Sequence, residues 1–274
     1  MKKIDEIIFT KAVASGNDFI IIDNKARGTV FDSSYYSDLA RSLCERHLSI
    51  GADGILAIEK SDRADYRMRI INPDGSEVNM CGNGARCAML YAYKKGWGNN
   101  LTFETGAGIL EGNITEFGVK IKMTEPRDFK KEIFLEVDGE KIKAHFIDTG
   151  VPHVVCMMDD IKKVDAVKLG RIIRGHNFFA PRGTNVNFVG DITKNGATVR
   201  TYERGVEDET LACGTGSVAS AVILGLLGVL KSPVEITTKS GEKIKVYYKI
   251  ISNEKVIDVY MEGKAQIIFE GRVV

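Results

Sequence analysis

The sequence of 274 residues has almost no excess of charge of either sign. Its 38 lysines and arginines are matched by 37 aspartates and glutamates, so the formal net charge is only +1. This balance argues against nucleic acid or an anionic membrane surface as a partner. The sequence also lacks a long apolar run, since the longest, VASAVILGLLGVL at 218–230, is too short to cross a bilayer. We expect a cytoplasmic protein whose partner is a small molecule.

Cysteine and histidine are few, and their spacing does not fit a metal site. The sequence has five cysteines and four histidines, with no C-x-x-C pair and no close pair of histidines. An odd number of cysteines in a chain of this size also argues against a disulfide scaffold. No nucleotide motif or cofactor-binding lysine stands out. We therefore expect free thiols in a reducing compartment, no metal and no cofactor.

What the sequence does contain is a repeated motif. Cys-Gly-x-Gly occurs at 81–84 and again at 213–216, so 132 positions separate the two cysteines. Four other landmarks recur in the same order at nearly the same spacing, which predicts an internal duplication. One landmark pairs Gly96 with Gly228, and Gly228 interrupts the second apolar run. The other three pair SGNDFIII (15–22) with TGVPHVVC (149–156), GADGILAI (51–58) with GTNVNFVG (183–190), and RIINPDGSE (69–77) with RTYERGVEDE (200–209). The alignment sets Asp53 opposite Asn185, Arg69 opposite Arg200 and Asn72 opposite Glu203.

Local patterns predict many strands and two helices in each half. Short β-branched and aromatic runs such as DFIIID, GILAIE, YRMRII, GVKIKM, HVVCMM, TNVNFV, TVRTYE and KIKVYYKI indicate strands. Amphipathic patterns at about 33–48 and 161–174 indicate peripheral helices, whereas the run after Cys213 is apolar on all sides and predicts a buried helix. We predict an α+β fold of two pseudo-symmetric α/β lobes, each a mostly antiparallel sheet around a central helix. The lobes would comprise 1–126, completed by a C-terminal strand at 265–274, and 127–264.

A cysteine followed by two glycines at a helix start has a specific chemical use. The first backbone N–H groups of a helix have no internal partner, so they hold an anion such as a carboxylate or a thiolate. A cysteine there becomes a competent base or nucleophile near neutral pH. Two such starts could place one thiol on each face of an α-carbon, which is what a racemase without a cofactor requires. We assign Cys44, Cys87 and Cys156 to packing.

Three segments carry a resemblance to a known family. SGNDF (15–19), NPDGSEVNMCGNGARC (72–87) and ERGVEDETLACGTGS (203–217) closely resemble diaminopimelate epimerase, and the similarity runs over essentially the whole chain. The resemblance implies that Cys81 and Cys213 act as the base and acid pair. It implies interconversion of LL- and meso-diaminopimelate in lysine and peptidoglycan precursor synthesis, without a cofactor, by a homodimer.

The resemblance also implies roles for other residues. The substrate-binding positions are Asn17, Asn72, Gly82, Asn83, Asn185, Glu203, Arg204, Gly214 and Thr215. His153 and Glu203 match positions that adjust the thiols. The residues themselves leave plainer roles open: asparagine is common in turns, Glu203 and Arg204 could form a surface ion pair, and His153 could be a structural histidine.

Two departures from the family pattern bear on the substrate. Val151 stands where many members have asparagine, and Gly54 stands where many have glutamine. The alternatives are therefore a racemase of another amino acid on the same fold, such as histidine, lanthionine or a proline derivative, and a thiol redox protein in which Cys81 and Cys213 form a reversible disulfide. A second charged end on the substrate, read by Arg204 with Asn72 and Asn185, favours diaminopimelate.

Overall fold

The computed structural model describes residues 7–25 and 31–273, and these divide into two compact units. The first unit comprises the described residues up to Ile121 together with those from Gly263 onward, and the second is Lys122–Glu262. The boundaries estimated from the sequence, 126/127 and 264/265, lie a few residues further along the chain. Within the described ranges, no helix is both long and apolar enough to span a membrane.

Among the described residues, the first unit contains two helices and nine strands, the ninth of which is the last strand of the chain. In order they are β1 (Ile7–Ala14), β2 (Asn17–Asp23), α1 (Ser33–Leu43), β3 (Gly54–Glu59), β4 (Tyr66–Ile71), β5 (Glu77–Val78), α2 (Gly82–Lys94), β6 (Asn100–Thr105), β7 (Gly108–Ile114) and β8 (Val119–Lys122), with β18 (Gln266–Val273) as the ninth strand.

The second unit contains the remaining strands and two further helices. They are β9 (Arg127–Val137), β10 (Glu140–Asp148), β11 (Pro152–Met157), α3 (Ala166–Arg174), β12 (Asn185–Gly190), β13 (Gly196–Glu203), β14 (Asp208–Thr210), α4 (Gly214–Leu226), β15 (Val234–Thr237), β16 (Lys243–Ile250) and β17 (Val256–Gly263). Short 3₁₀ turns at Ile161–Lys163 and Asn177–Phe179 flank α3.

The strands of the two units pair in the same order. In the first unit β18–β1 and β1–β2 are antiparallel, β2–β3 is parallel, β3–β4 and β4–β5 are antiparallel, β4–β6 is parallel, and β6–β7 and β7–β8 are antiparallel. The second unit repeats this sequence of pairings from β9–β10 through β16–β17. The predicted duplication and the mostly antiparallel α+β architecture are confirmed.

The sheet register corrects one detail of the predicted repeat. Phe19 lies opposite Gly54 in the β2–β3 pair, and His153 lies opposite Asn185 in the β11–β12 pair. Because β2 and β11 occupy the same place in their units, Asn185 corresponds to Gly54. The predicted pairing of Asp53 with Asn185 is therefore wrong by one residue, because the offset at β3 and β12 is 131, the same as between Arg69 and Arg200.

The predicted peripheral helices form, with shorter bounds. The helix α1 ends at Leu43 with Cys44 as its C-cap, and the chain then turns through His47 at φ 71°. It therefore stops short of the predicted end at 48. The helix α3 starts only at Ala166, because the side chain of Asp165 accepts a bond from the backbone N–H of Lys168 and caps the helix there.

The helices α2 and α4 are the buried helices of their units. Every residue of α4 from Gly216 to Gly225 is buried, as its uniformly apolar sequence predicts. Each helix ends at a left-handed glycine, Gly96 at φ 80° and Gly228 at φ 73°. In both, the residue after the glycine bonds back to the helix, so Gly228 terminates α4 where the sequence suggested an interruption. The bonds are Trp97 N–H to Ala92 O at 3.1 Å and Val229 N–H to Leu224 O at 2.9 Å.

Candidate active site

Cys81 is the N-cap of α2. Its backbone is extended, at φ −141° and ψ 118°, and its Sγ accepts a hydrogen bond from the N–H of Gly84 at 3.5 Å. The first bond within the helix runs from the N–H of Ala85 to the carbonyl oxygen of Cys81, at 2.8 Å. The N–H groups of Gly82 and Asn83 precede that bond and belong to the positive end of the helix. The sulfur thus takes the place of the oxygen of an ordinary N-cap residue.

Cys213 repeats this geometry at the start of α4. It is extended at φ −118° and ψ 114°, and its Sγ accepts from the N–H of Gly216 at 3.4 Å. The N–H of Ser217 donates to the carbonyl oxygen of Cys213 at 2.9 Å. The hydroxyl of Thr215 also lies 3.5 Å from the sulfur. Both thiols therefore sit in matching fields of backbone donors, as the sequence predicts for the two motifs.

The second glycine of each motif allows close packing beneath the sulfur. A Cβ at Gly84 would lie 3.0 Å from Cδ2 of Leu56 and 3.6 Å from the ring of Phe19. A Cβ at Gly216 would collide with Oδ1 of Asn187. The space is thus bounded by apolar side chains in the first unit and by a polar side chain in the second.

The other three cysteines lie in the interior. Cys44, Cys87 and Cys156 are all buried. Burial raises the pKa of the Cys44 thiol to about 11 and that of Cys156 to about 12. Both thiols are neutral near pH 7, which fits the predicted packing role.

A polar cluster adjoins the start of α2. Asn83, which is buried, donates from Nδ2 to Oδ1 of Asn17 at 2.6 Å, and Asn17 donates from its own Nδ2 to Oδ2 of Asp53 at 3.0 Å. Arg86, on the next turn of α2, donates from Nη2 to Oδ1 of Asn83 at 2.6 Å and to the hydroxyl of Ser15 at 2.5 Å. The structure therefore brings the predicted residues Asn17 and Asn83 together beside Cys81.

Asn72 lies between β4 and β5 and bonds within its own turn. Its Nδ2 donates to the hydroxyl of Ser76 at 3.0 Å, and its N–H donates to the carbonyl oxygen of Ser76 at 2.8 Å. These contacts are what the plainer turn role of an asparagine predicts. The side chain is half-buried, so it retains surface that a ligand could reach.

In the second unit, Asn185 orders the backbone around Arg204. Its Oδ1 accepts from the backbone N–H of Arg204 at 2.8 Å, and its Nδ2 donates to the carbonyl oxygen of Pro152 at 3.3 Å. The Arg204 guanidinium is partly exposed and donates from Nη1 to the carbonyl oxygen of Arg182 at 2.8 Å. Since a guanidinium carries five N–H donors, Arg204 retains donors for an anion.

His153 is buried and neutral. Burial, with a smaller contribution from the charge of Arg204, lowers the pKa of its imidazole to about 3. Nδ2 of Asn187 lies 3.1 Å from Nδ1 of His153, while Oδ1 of Asn187 accepts from the hydroxyl of Thr201 at 2.9 Å. The same Nδ2 donates to the carbonyl oxygen of Val154 at 3.0 Å, which fixes the Asn187 amide, so Nδ1 of the neutral ring accepts and Nε2 carries the proton. Nε2 itself is buried and has no hydrogen-bond partner among the described residues.

The carboxyl group of Glu203 lies at the end of β13. Burial raises its pKa above the usual value, and the neighbouring hydroxyl of Thr210 offsets only part of that rise. No ion pair joins Glu203 to Arg204, although both lie in the described part of the chain. Burial therefore favours the protonated form of this carboxyl more than in an exposed glutamate.

Sequence reasoning did not single out the residues that support these groups. Arg86 had a visible signal, because it is the one charged residue in the first turns of α2, among small residues. Asn187 and Thr201 had a weaker one, as polar residues within predicted strands. Asp53 was noticed only as part of the repeat, and its bond to Asn17 depends on a contact between a loop and the start of β2 that local patterns do not reveal.

Solved structures of similar fold define the class of the protein. The structure matches a phenazine biosynthesis protein of the PhzF family from Bacillus anthracis with a TM-score of 0.77 at 18% identity, covering 99% of this chain and 100% of that one. It matches a hydroxyproline epimerase from Agrobacterium vitis with a TM-score of 0.73 at 13% identity, covering 98% and 91%. At these identities the likeness establishes the fold, which is that of the PhzF and proline racemase structures.

Sequence comparisons are more specific. The chain is 42% identical to the diaminopimelate epimerase of Aquifex aeolicus, covering 97% of both chains. It is 44% identical to that of a Hydrogenobaculum species over 97% of this chain and 98% of the other, and 42% identical to that of Archaeoglobus fulgidus over 97% and 95%. The family model described as diaminopimelate epimerase matches residues 9–128 and 145–268. The chain belongs to the diaminopimelate epimerase family, a family of isomerases.

Proposed function

We propose that this enzyme interconverts LL- and meso-diaminopimelate in lysine biosynthesis and peptidoglycan precursor supply, with Cys81 and Cys213 as its catalytic pair. The observation that carries the proposal is the repeated N-cap geometry, in which equivalent buried helices of a duplicated chain each begin at a cysteine. Membership of the diaminopimelate epimerase family supports the choice of substrate.

The reaction requires one thiol on each face of the same α-carbon. One thiolate removes the α-proton, the C–H electron pair is delocalised into the adjacent carboxylate, and the opposite thiol delivers its proton to the other face. The bond count is unchanged, and the two sulfurs have exchanged protonation states. The N–H groups of Gly82, Asn83, Gly214 and Thr215 would stabilise the charge that develops on the carboxylate oxygens, as helix starts do.

The distal end of the substrate needs recognition of a second amino acid group. Arg204 suits the distal carboxylate, because its planar guanidinium pairs bidentately with carboxylates and most of its donors are not used by Arg182. Asn17, Asn72 and Asn185 would complete the polar lining. Glu203 would act near the reacting centre as a buried carboxyl whose pKa is raised.

His153 would adjust the thiols as a neutral group. With a pKa of about 3, its imidazole carries no charge at the working pH, so it would act through the Nε2–H donor and not through a positive charge. The bond from Asn187 holds it in that tautomer.

The two departures from the family pattern affect the lining of the site. Gly54 has little room for a side chain, because a Cβ there would lie 2.7 Å from the carbonyl oxygen of Ile71. Val151 has no polar side-chain atom. Recognition of the substrate in this chain therefore depends more heavily on Arg204 and the three asparagines.

Deuterium exchange tests the proposal against its alternatives. The reduced protein is incubated in heavy water with LL-diaminopimelate and, separately, with histidine, lanthionine, proline and hydroxyproline, and α-deuterium is measured by mass spectrometry. We expect exchange and interconversion with diaminopimelate alone. Exchange confined to another amino acid would show that diaminopimelate is not the substrate but would leave the proposed proton transfer by thiols in place. No exchange with any of the amino acids would favour the thiol redox alternative.

We also propose that the protein is a cytoplasmic homodimer. The relevant surface is on the paired strands β1 and β18, where Ile8, Ile268 and Phe269 are 59%, 52% and 48% exposed. A second copy could bury these apolar side chains. Sedimentation of the wild type should give a dimer and Phe269→Lys should give more monomer, whereas a monomeric wild type would contradict the proposal.

A further inference from the structure

Arg86 and Asp53 have no task in the mechanism described above, yet both contact residues assigned to the site. Arg86 is fully buried within α2. A guanidinium is expensive to bury unless its donors are hydrogen-bonded, so a plain packing position would be better filled by an apolar side chain. The corresponding position 132 residues later is Val218, which is also fully buried. The cation therefore serves something found in the first unit only.

Four side chains form a continuous hydrogen-bonded relay from Arg86 to Asp53. Arg86 donates to Asn83, Asn83 donates to Asn17 and Asn17 donates to Asp53, with donor–acceptor distances of 2.6, 2.6 and 3.0 Å. Every bond in the relay points the same way. Asp53 is held at its end by Arg46, whose Nη2 donates to its other oxygen at 2.8 Å.

The chemistry of the two ends fixes the orientation of the two amides between them. A guanidinium can only donate and an ionised carboxylate can only accept. Each asparagine must therefore turn its oxygen toward Arg86 and its nitrogen toward Asp53, because a flipped amide would set donor against donor or acceptor against acceptor. Each Nδ2 then uses one hydrogen within the relay and keeps one, which suits an acceptor-only group such as a carboxylate.

We propose that Arg86 and Asp53 are positioning residues that lock the amide orientation of Asn83 and Asn17 for binding of the substrate carboxylate. The inference rests on the proposed function, in which those asparagines bind substrate. Arg86 also anchors the turn that leads to Asn17, because it donates to Ser15, which adopts φ 51° beside Gly16 at φ 86°. Both the amide and the backbone that carries it are thus fixed by one guanidinium.

Steady-state kinetics of variants at the two ends test the relay. Arg86→Met removes the donor end, and Asp53→Asn keeps the shape of the acceptor end but lets it donate. Since each leaves the amides free to flip, we expect each to raise KM for diaminopimelate about tenfold, with a smaller change in kcat. The double variant should be little worse than either single variant, because both break the same alignment. Additive effects, near a hundredfold, or an unchanged KM would overturn the proposal.

Two further variants separate positioning from stability. Arg69→Met removes another buried arginine of the first unit, which bonds Glu77 and Ser33 outside the relay. It should lower the free energy of unfolding without raising KM. Arg86→Lys retains a donor-only group and should restore part of the lost affinity. If Arg69→Met raised KM as much as Arg86→Met, or if Arg86→Lys restored no affinity, Arg86 would have only a structural role in stabilising the fold.

A measurement without turnover keeps the relay testable even if diaminopimelate is not the substrate. Side-chain NH₂ signals of Asn17 and Asn83 are recorded by NMR on protein labelled with ¹⁵N-asparagine and assigned from Asn17→Ala and Asn83→Ala. Arg86→Met should shift or broaden both signals, while Arg69→Met should leave them in place. Unmoved signals in Arg86→Met would refute the relay, whereas moved signals with no diaminopimelate exchange would refute only the proposed function.

Discussion

In the first unit the turn at Ser15 is tied to the start of α2 through the guanidinium of Arg86, whereas in the second unit the matching tie is direct. There the hydroxyl of Thr149 donates to the carbonyl oxygen of Thr215, at 3.5 Å. The two units thus reach the same N-cap geometry with different side chains. The duplicated units have therefore kept the same N-cap geometry, whereas the side chains that stabilise it differ.

The surroundings of the two thiols differ in the same way. Beneath the first helix start lie Leu56 and Phe19, and beneath the second lie Asn187 and Thr201. The register also sets the buried His153 where the first unit has Phe19. The two thiols that we propose as the catalytic pair therefore lie in unlike environments, and the comparison can be tested from either side.

The largest effect is expected from removing either sulfur. Cys81→Ala and Cys213→Ala should each lower the rate of interconversion by about 10³-fold or more, because one base or one acid is lost. A single remaining thiol can still exchange a proton on its own face. We expect α-deuterium incorporation from one stereoisomer in Cys81→Ala and from the other in Cys213→Ala, measured by mass spectrometry. Interconversion at the normal rate in either variant would refute a two-base mechanism.

A smaller effect is expected when alanine replaces the second glycine of each motif. Gly216→Ala forces its Cβ against Asn187, so it should lower the free energy of unfolding by about 1–3 kcal/mol and reduce kcat. Gly84→Ala meets the mobile end of Leu56, at 3.0 Å, and should cost less than about 1 kcal/mol. Urea denaturation and kcat measure both. A greater loss of stability in Gly84→Ala than in Gly216→Ala would show that the packing against the start of α4 is not tighter than the packing against the start of α2.

These contrasts indicate where sequence reasoning succeeds. Repetition of the Cys-Gly-x-Gly motif predicts the two N-caps, because backbone geometry at a helix start depends on local residues such as Cys81 and Gly84. The all-round apolar sequence of α4 likewise predicts its burial. The relay through Arg86 depends on four side chains from a strand, a loop and a helix, and no local pattern specifies their order. The error at Asp53 arose because matching Gly51 with Gly183 shifts the alignment by one residue, whereas the sheet register fixes the true partner.

The buried histidine should make the second unit the more sensitive to acid. The pKa of His153 is about 3 in the folded protein and about 6.5 unfolded, so the unfolded state binds an extra proton between those values. Its contribution to stability is complete above pH 6.5 and declines toward pH 3, with a slope approaching about 1.4 kcal/mol per pH unit. His153→Gln keeps an acceptor for Asn187 but does not titrate.

The difference in stability between the wild type and His153→Gln isolates the contribution of His153 from that of the carboxyl groups. Urea denaturation from pH 7 to pH 4 should show stability falling more steeply in the wild type. Amide hydrogen exchange at pH 5 should show protection lost in β11 and β12 before β2 and β3. Equal slopes in the two proteins would mean that His153 titrates in the folded state as it does in the unfolded state.

The smallest expected effect concerns the rates at which the cysteines are alkylated. Cys81 is half-buried and Cys213 is only 7% exposed, so iodoacetamide should label Cys81 several-fold faster even though both sulfurs accept a backbone N–H bond. Cys44 and Cys156 should stay unlabelled in the folded protein at pH 8, because burial raises their pKa values to about 11 and 12. Peptide mass spectrometry after short exposure resolves the order. Labelling of Cys213 at the rate of Cys81 would show that the two helix starts are equally accessible in solution. The different side chains packed beneath them would then have no effect on access to the sulfur.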